Sequence, residues 1–188
     1  MITCSALIIG GSAGSLDVLI KILPLISLEI SFPIIIVVHR KQGTDSLLAE
    51  LLATKTALIV KEVEEKESIL AGTVYIAPSD YHLLLEKNHT FSLDYSEKVN
   101  YSRPAIDVTF QSAAEVYTDQ LCCLLLSGSN ADGVSGLIAV NSYGGTTCVQ
   151  NPKTAQVDYM PSQAILKAKI DHILTIDQMA NYINSLSK

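Results

Sequence analysis

Short apolar runs, bounded by glycine, proline or polar clusters, alternate along this chain with longer stretches whose apolar positions recur every three or four residues. Ala6–Gly10, Pro33–His39 and Leu121–Leu126 are apolar almost throughout, the pattern of parallel strands covered on both faces. Leu16–Ile26 sets Leu16, Leu19, Ile20 and Leu23 on one face and predicts a helix. Leu47, Leu48, Leu51 and Leu52 predict a second, for which Thr44 and Asp45 offer capping side chains. A third short strand is expected at Ala57–Lys61. The middle of the chain changes character. Thr73–Ala77, His82–Glu86 and Thr90–Tyr95 read as short strands, with Lys87-Asn88-His89 as a turn, and together they predict an antiparallel insertion or meander. Helices follow at Asp107–Tyr117 (Pro104 near its first turn), from about Asp132 to Tyr143, at Pro161–Lys169 and at Gln178–Ser187. Strands are expected between them at Thr146–Val149 and Ile173–Thr175.

Strands separated by helices of ~10–15 residues predict an α/β fold. It is expected to be a doubly wound, mostly parallel sheet with helices on both faces and a small antiparallel hairpin insertion. One domain over residues 1–188 suits the length. Hydrophobic residues at 48% and charged residues at 17% exclude a disordered or coiled-coil chain. A net charge of −6, with 13 basic residues and no basic run, argues against a nucleic-acid groove. The longest apolar runs, Phe32–Val38 and Leu121–Leu126, fall far short of the ~20 residues of a membrane-spanning helix. The first residues carry no basic leader, so the expected location is cytoplasmic, without membrane insertion. Cys4, Cys122, Cys123 and Cys148 show no C-x-x-C spacing. They are expected to be buried and reduced, Cys122 and Cys123 on opposite faces of one strand, with no metal and no cofactor implied.

In an open parallel sheet, ligands sit beyond the carboxyl ends of the strands. Three such ends supply Gly10-Gly11-Ser12-Ala13-Gly14-Ser15, His39-Arg40 and Ser127-Gly128-Ser129-Asn130-Ala131-Asp132-Gly133. A serine, a histidine and an aspartate on one sheet edge are the parts of a nucleophile, base and orienter. Ser12, in Gly10-x-Ser12-x-Gly14 at a strand-to-helix turn, has the pattern of a nucleophile elbow. His39 would take its proton, and Asp132 would fix the imidazole tautomer. The backbone N–H of Ala13, with that of Ser129 or Asn130, would bind the oxyanion. Other readings of the same residues stay open. Gly10–Ser15 could cradle a phosphate at a helix start, with Arg40 meeting a 2′-phosphate, although a dinucleotide fold would want an acidic residue where His39-Arg40 stands. His39 could be structural, and Asp132 could merely cap the helix that follows it. His82, His89 and His172 read as structural or solvated, Arg103 and Asp107 as a helix-start pair, and Lys61–Glu67 as a solvated face or turn.

The chain resembles the catalytic domain of the chemotaxis protein-glutamate methylesterase (CheB) family. The resemblance is carried by Ile8-Ile9-Gly10-Gly11-Ser12-Ala13-Gly14, Ile36-Val37-Val38-His39, Val74-Tyr75-Ile76-Ala77-Pro78 and Arg103-Pro104-Ala105-Ile106-Asp107-Val108. It continues through Leu125-Leu126-Ser127-Gly128 with Asp132-Gly133, Gly144-Gly145, Gln150 and Met160-Pro161-Ser162-Gln163-Ala164-Ile165. It implies a cofactor-free serine hydrolase that removes methyl groups from glutamates on chemoreceptors and releases methanol. Some members also deamidate receptor glutamines. Ser12 is then the nucleophile, His39 the base and Asp132 the third member, with chemoreceptor cytoplasmic helices as partners. Two stretches depart from the family pattern. Ala13 stands where Thr is common, and Ser129 replaces a methionine whose backbone helps bind the oxyanion, in a loop that also lacks the usual second glycine. The typical member begins with a phosphorylatable receiver domain. Here the strand bearing Ser12 starts within the first ten residues, so no receiver is expected, and regulation either comes from a separate phosphorylatable partner or is missing. A nucleotide- or anion-binding α/β module, and a non-catalytic receptor-binding domain of the same shape, are the competing functional readings.

Overall fold

The computed structural model describes residues 4–40 and 45–187. Among them, seven strands form one parallel sheet: β1 (Ala6–Gly11), β2 (Ile34–Val38), β3 (Ile59–Glu62), β4 (Thr73–Ile76), β7 (Leu121–Leu125), β8 (Thr146–Gln150) and β9 (His172–Leu174). The order across the sheet is β3-β4-β2-β1-β7-β8-β9. Every residue of β1, β2 and β7 is buried, whereas the edge strands β3 and β9 are largely not. Continuous apolar runs therefore mark the sheet's centre, where both faces are covered.

Alternate side chains of the central strands feed two cores. Leu7, Ile9, Ile34, Ile36, Cys122 and Leu124 pack on one face against α1 (Ser15–Ile22), α2 (Asp45–Ala53) and α6 (Ile176–Ser185). Ala6, Ile8, Ile35, Val37, Cys123 and Leu125 pack on the other against α3 (Ile106–Tyr117), α4 (Val134–Ser142) and α5 (Tyr159–Lys167). Helices thus lie on both faces of the sheet. Cys122 and Cys123 point to opposite faces, and all four cysteines are buried and free. Among the described residues no helix is long and apolar enough to cross a membrane.

Several boundaries and one pairing differ from the expectation. α1 stops at Ile22, where Pro24 allows only a 3-10 turn over Leu23–Leu25. The helix expected to start near Asp132 begins at Val134. Thr44 lies outside the described residues, as does the side chain of Asp45. The main correction concerns the middle of the chain. β4 is no part of an antiparallel meander, because it inserts between β2 and β3 and pairs parallel with both. Its residues Thr73–Ile76 are all buried, the mark of an interior strand. Only β5 (His82–Leu85) and β6 (Phe91–Asp94) pair antiparallel, with His89 in the left-handed region at the turn. The acidic segment is more than a solvated turn. It runs along β6, where Lys66 N–H donates to Phe91 O and Phe91 N–H to Glu67 O.

The chain winds from β1 out to β2 on one side and returns through α3 to β7 on the other. The direction of winding reverses between β1 and β7. A sheet of this kind opens a crevice at the carboxyl ends of the two strands flanking such a reversal. Ser12 follows one of these ends and Ser127–Gly133 the other.

Candidate active site

The two loops at the crevice are laced together by backbone hydrogen bonds. Leu126 N–H donates to Gly10 O (2.8 Å), Ser12 N–H to Ser127 O (2.9 Å) and His39 N–H to Gly11 O (3.2 Å). Gly14 turns the chain from β1 into α1 with φ 82°, a conformation that costs a side-chain-bearing residue about 1–2 kcal/mol. The strain expected of a nucleophile elbow is therefore carried by Gly14, and Ser12 itself is outside the left-handed region. Gly128 passes so close to Ser12 that a Cβ on it would lie 3.1 Å from the Ser12 Cβ and 2.5 Å from Met160 Cε. Behind these loops, the buried Ser127 hydroxyl donates to Ala13 O (2.7 Å) and accepts from Val157 N–H (2.9 Å). Gln150 accepts from Ser127 N–H (2.9 Å) and donates to Thr154 O (3.0 Å).

His39 and Asp132 are brought together over 93 residues of sequence. His39 Nε2 lies 2.7 Å from Asp132 Oδ2, with the carboxylate fully buried and the imidazole 13% exposed. With Nε2 donating to the carboxylate, Nδ1 keeps the free lone pair. Ser12 and His39 line the same cavity of about 280 Å³, whose other wall is formed by leucines of α1 and α2, including Leu16, Leu48 and Leu51. Among the described residues the Ser12 hydroxyl has no hydrogen-bond partner, a common state for a nucleophile before substrate draws the groups together. The N–H groups of Ala13 and Ser129 likewise donate to nothing among the described residues, so both remain available to an anion.

Asp132 is not the cap of the helix that follows it, since the N-cap of α4 is Gly133 in the left-handed region. It caps a different helix instead. Its Oδ2 accepts from Ile106 N–H (2.7 Å) and its Oδ1 from Asp107 N–H (3.0 Å), the first two amides of α3. Asn100 Nδ2 (2.9 Å) and Gly133 N–H (3.0 Å) also donate to Oδ1. Burial, the largest single influence, pushes the Asp132 carboxyl up. The hydrogen bonds from His39, Ile106, Asp107 and Asn100 together outweigh it and hold Asp132 below the usual carboxylate range. The neighbouring Asp107 goes the other way. Burial raises it and the Asp132 charge adds to the effect, against donors at Gly136 N–H and Asn100.

Other expectations find different places. Arg103 is no helix-start partner of Asp107: it bonds Asp80 (2.7 Å), stacks 3.9 Å over the Tyr95 ring and donates to Tyr95 O and Ser96 O. Arg40 pairs with Glu62 (3.1 Å), donates to Ala77 O (2.7 Å) and is only 8% exposed. Its guanidinium is thus built into the protein, which leaves little for a 2′-phosphate. The Gly10–Ser15 loop spends two of its N–H groups internally, Ser12 on Ser127 O and Ser15 on Ser12 O, so it does not present the row of free amides that cradles a phosphate. His82 is structural, accepting from Ala105 N–H at Nδ1 (3.2 Å) and meeting Glu97 O at Nε2 (2.9 Å). His89 and His172 stack on Tyr117 and Tyr182. Among the described residues no group of three His, Cys, Asp or Glu side chains is arranged to hold a metal ion. Sequence reasoning missed Asn100 altogether and gave Asp107 and Ser127 no role at the site. Asn100 sits in an irregular loop with no periodicity to mark it, and its nearness to the Arg103-Pro104-Ala105-Ile106-Asp107 run was the one available signal.

Known proteins resemble this chain over most of its length. A solved structure of the Thermotoga maritima CheB methylesterase catalytic domain superposes with a TM-score of 0.94 at 34% identity, covering 98% of this chain and 100% of that one. A Leptospira interrogans protein, provisionally named protein-glutamate methylesterase/protein-glutamine glutaminase, is 42% identical over 175 residues, 93% of this chain and 91% of its own. The Thermotoga maritima and Halobacterium salinarum proteins of that name are 37% and 36% identical over 89% and 94% of this chain, which spans about half of each (49% and 52%). The model of the CheB methylesterase family matches residues 7–183, from the first buried strand to the last helix, and the chain belongs to that family.

Proposed function

We propose that this chain is a protein-glutamate methylesterase whose nucleophile, base and orienting acid are Ser12, His39 and Asp132. The observation that carries the reading is the buried Asp132 carboxylate 2.7 Å from His39, in a cavity His39 shares with Ser12. Ser12 Oγ attacks the ester carbonyl carbon while His39 Nδ1 takes the hydroxyl proton. Asp132 orients the ring through Nε2 and offsets the imidazolium charge. The oxyanion is held by the N–H groups of Ala13 and Ser129. The tetrahedral intermediate collapses, the methoxy oxygen leaves with the proton from His39 as methanol, and an acyl-enzyme remains on Ser12. Water, deprotonated by His39, then attacks the acyl carbon and releases the glutamate carboxylate and Ser12.

The same steps act on a glutamine side chain with ammonia leaving in place of methanol, in keeping with the double name of the relatives. No cofactor enters either reaction. The substrate is a side chain on the cytoplasmic helices of a methyl-accepting chemoreceptor, and the protein works in the cytoplasm. The test is methanol release from a methylated receptor fragment. The wild-type chain is expected to release it, and Ser12→Ala to lose turnover by ~10⁴-fold or more while keeping its fold. No release from a well-folded wild-type chain on receptors of its own source would overturn the assignment.

A further inference from the structure

The segment from Tyr95 to Pro104 is an irregular loop that delivers one side chain inward. Asn100 and Tyr101 both lie in the left-handed region (φ 50° and 62°), which asparagine tolerates better than most residues. The turn is closed by Ser102 N–H donating to Val99 O (2.9 Å) and Val99 N–H to Ser102 O (3.2 Å). It is clamped from behind by Arg103, through Asp80, Tyr95 and Ser96. Tyr101 projects into solvent, 98% exposed, while Asn100, also an exposed residue, turns its amide toward two acidic side chains. There it reaches Asp132 Oδ1 at 2.9 Å and Asp107 Oδ2 at 2.8 Å. A side-chain amide has two hydrogens, so both are spent, one on each of two neighbouring buried carboxyl groups.

We propose that Asn100 is a positioning residue: by bridging Asp132 and Asp107 it fixes in place the carboxylate that orients His39. This rests on the reading of the His39–Asp132 pair as the general base of the reaction. The titratable groups facing Asp132 are His39, from the end of β2, and Asp107, from α3; besides Asn100 and His39, the donors to it are backbone amides. On its far side His39 shares a cleft with Arg40, Lys98 and Arg103. Removing the amide takes one donor from the Asp132 anion and leaves the Gly133 N–H as the donor the two carboxyl groups share. That loss favours a proton on the His39–Asp132 pair, so it titrates at higher pH. Removing the Asp107 charge acts in the opposite direction.

The experiment follows the His39 ring by NMR titration in the whole chain, alongside the pH dependence of methyl-ester hydrolysis. Asn100→Ala is expected to raise the His39 titration point and the acid limb of the rate profile together. It should lower kcat by roughly 10-fold with KM little changed, as for a group acting on the base rather than on substrate. Asn100→Asp, which adds a charge where the donor stood, is expected to shift both further. Asn100→Ala combined with Asp107→Asn should bring both back. A fall in kcat with an unmoved titration point would reduce Asn100 to a structural role and overturn the proposal, as would a shift unaffected by the Asp107 change in a folded double variant. The ring titration is read without substrate. A shift that follows the expected order in a chain that releases no methanol would therefore uphold the coupling while rejecting the esterase reading.

Discussion

The protein holds its potential nucleophiles in two very different places. Four thiols lie within the sheet and its flanks, and one serine lies a single residue beyond the end of β1. A thiol is the better nucleophile in isolation, because it ionises far more readily than a hydroxyl. Yet burial pushes Cys4 up to about 12 and Cys123 well above its ordinary value. Cys122, sharing a hydrogen bond with Cys148 at 3.8 Å, is raised by that bond and by burial. These sulfurs are core packing without a base. Ser12 has the opposite setting: a cavity, an imidazole lining it, and a carboxylate behind the imidazole. Position relative to the strand ends, more than the intrinsic chemistry of the side chain, sets what surrounds each of these groups.

The contrast breaks most completely at Asp132. Asp132→Asn keeps the shape of the side chain but presents an NH₂ among donors, so turnover is expected to fall by roughly 10³–10⁴-fold. Asp132→Ala should add a loss of stability of about 3–5 kcal/mol, because buried amides of α3 and Gly133 lose their acceptor. Turnover and chemical unfolding of both variants check the pair of effects.

Ser12→Cys sharpens the comparison by placing a thiol at the strand end. Iodoacetamide is expected to label this fifth cysteine roughly a hundredfold or more faster than the native four, which react only on unfolding. Peptide mapping after a timed pulse reads the ratio, and equal rates would show that the native thiols are not shielded. Gly14→Ala tests the turn that presents Ser12. Its Cβ would lie 2.7 Å from Gln156 Cβ at φ 82°, so a stability loss of about 1–2 kcal/mol or more is expected by denaturant titration. The smallest effect is on acid stability. Asp132 is held below its unfolded value, so the native state binds fewer protons there than the unfolded chain. Its contribution is present above the unfolded carboxylate value of about 4 and is lost as pH falls through the folded one. Asp132→Asn should therefore lose less unfolding free energy than wild type between about pH 6 and pH 3.

Several parts of this structure were legible in the chain, for reasons that are local. A strand buried on both faces must be apolar throughout, so β1, β2 and β7 announced themselves and their polar ends marked Ser12, His39 and the Ser127–Gly133 loop. Side chains alternate along a strand, so Cys122 and Cys123 had to face opposite cores. Glycine punctuation around Ser12 signalled a tight turn, although it did not say that Gly14 rather than Ser12 would take up the left-handed conformation. β4 shows the limit of such reading: its short apolar run fits either sheet, and a single stretch of residues does not name its neighbours.

Partnerships across long stretches of chain belonged to the tertiary structure alone. Asp132 looked like a cap for its own helix, and packing made it the cap of α3, 25 residues earlier in sequence and adjacent only because the helices α3 and α4 lie side by side. Arg103 looked like a partner of Asp107 four residues on, and the turn of its loop sends it to Asp80 instead. The sequence by itself determined which residues are buried, which segments pair as strands or coil as helices, and which polar groups stand at strand ends, because burial and backbone preference act residue by residue. The fold decided which of those groups meet. Hydrogen bonds between buried polar atoms are short and directional, and whether two such atoms lie within 3 Å depends on the order of the strands, which no single segment encodes.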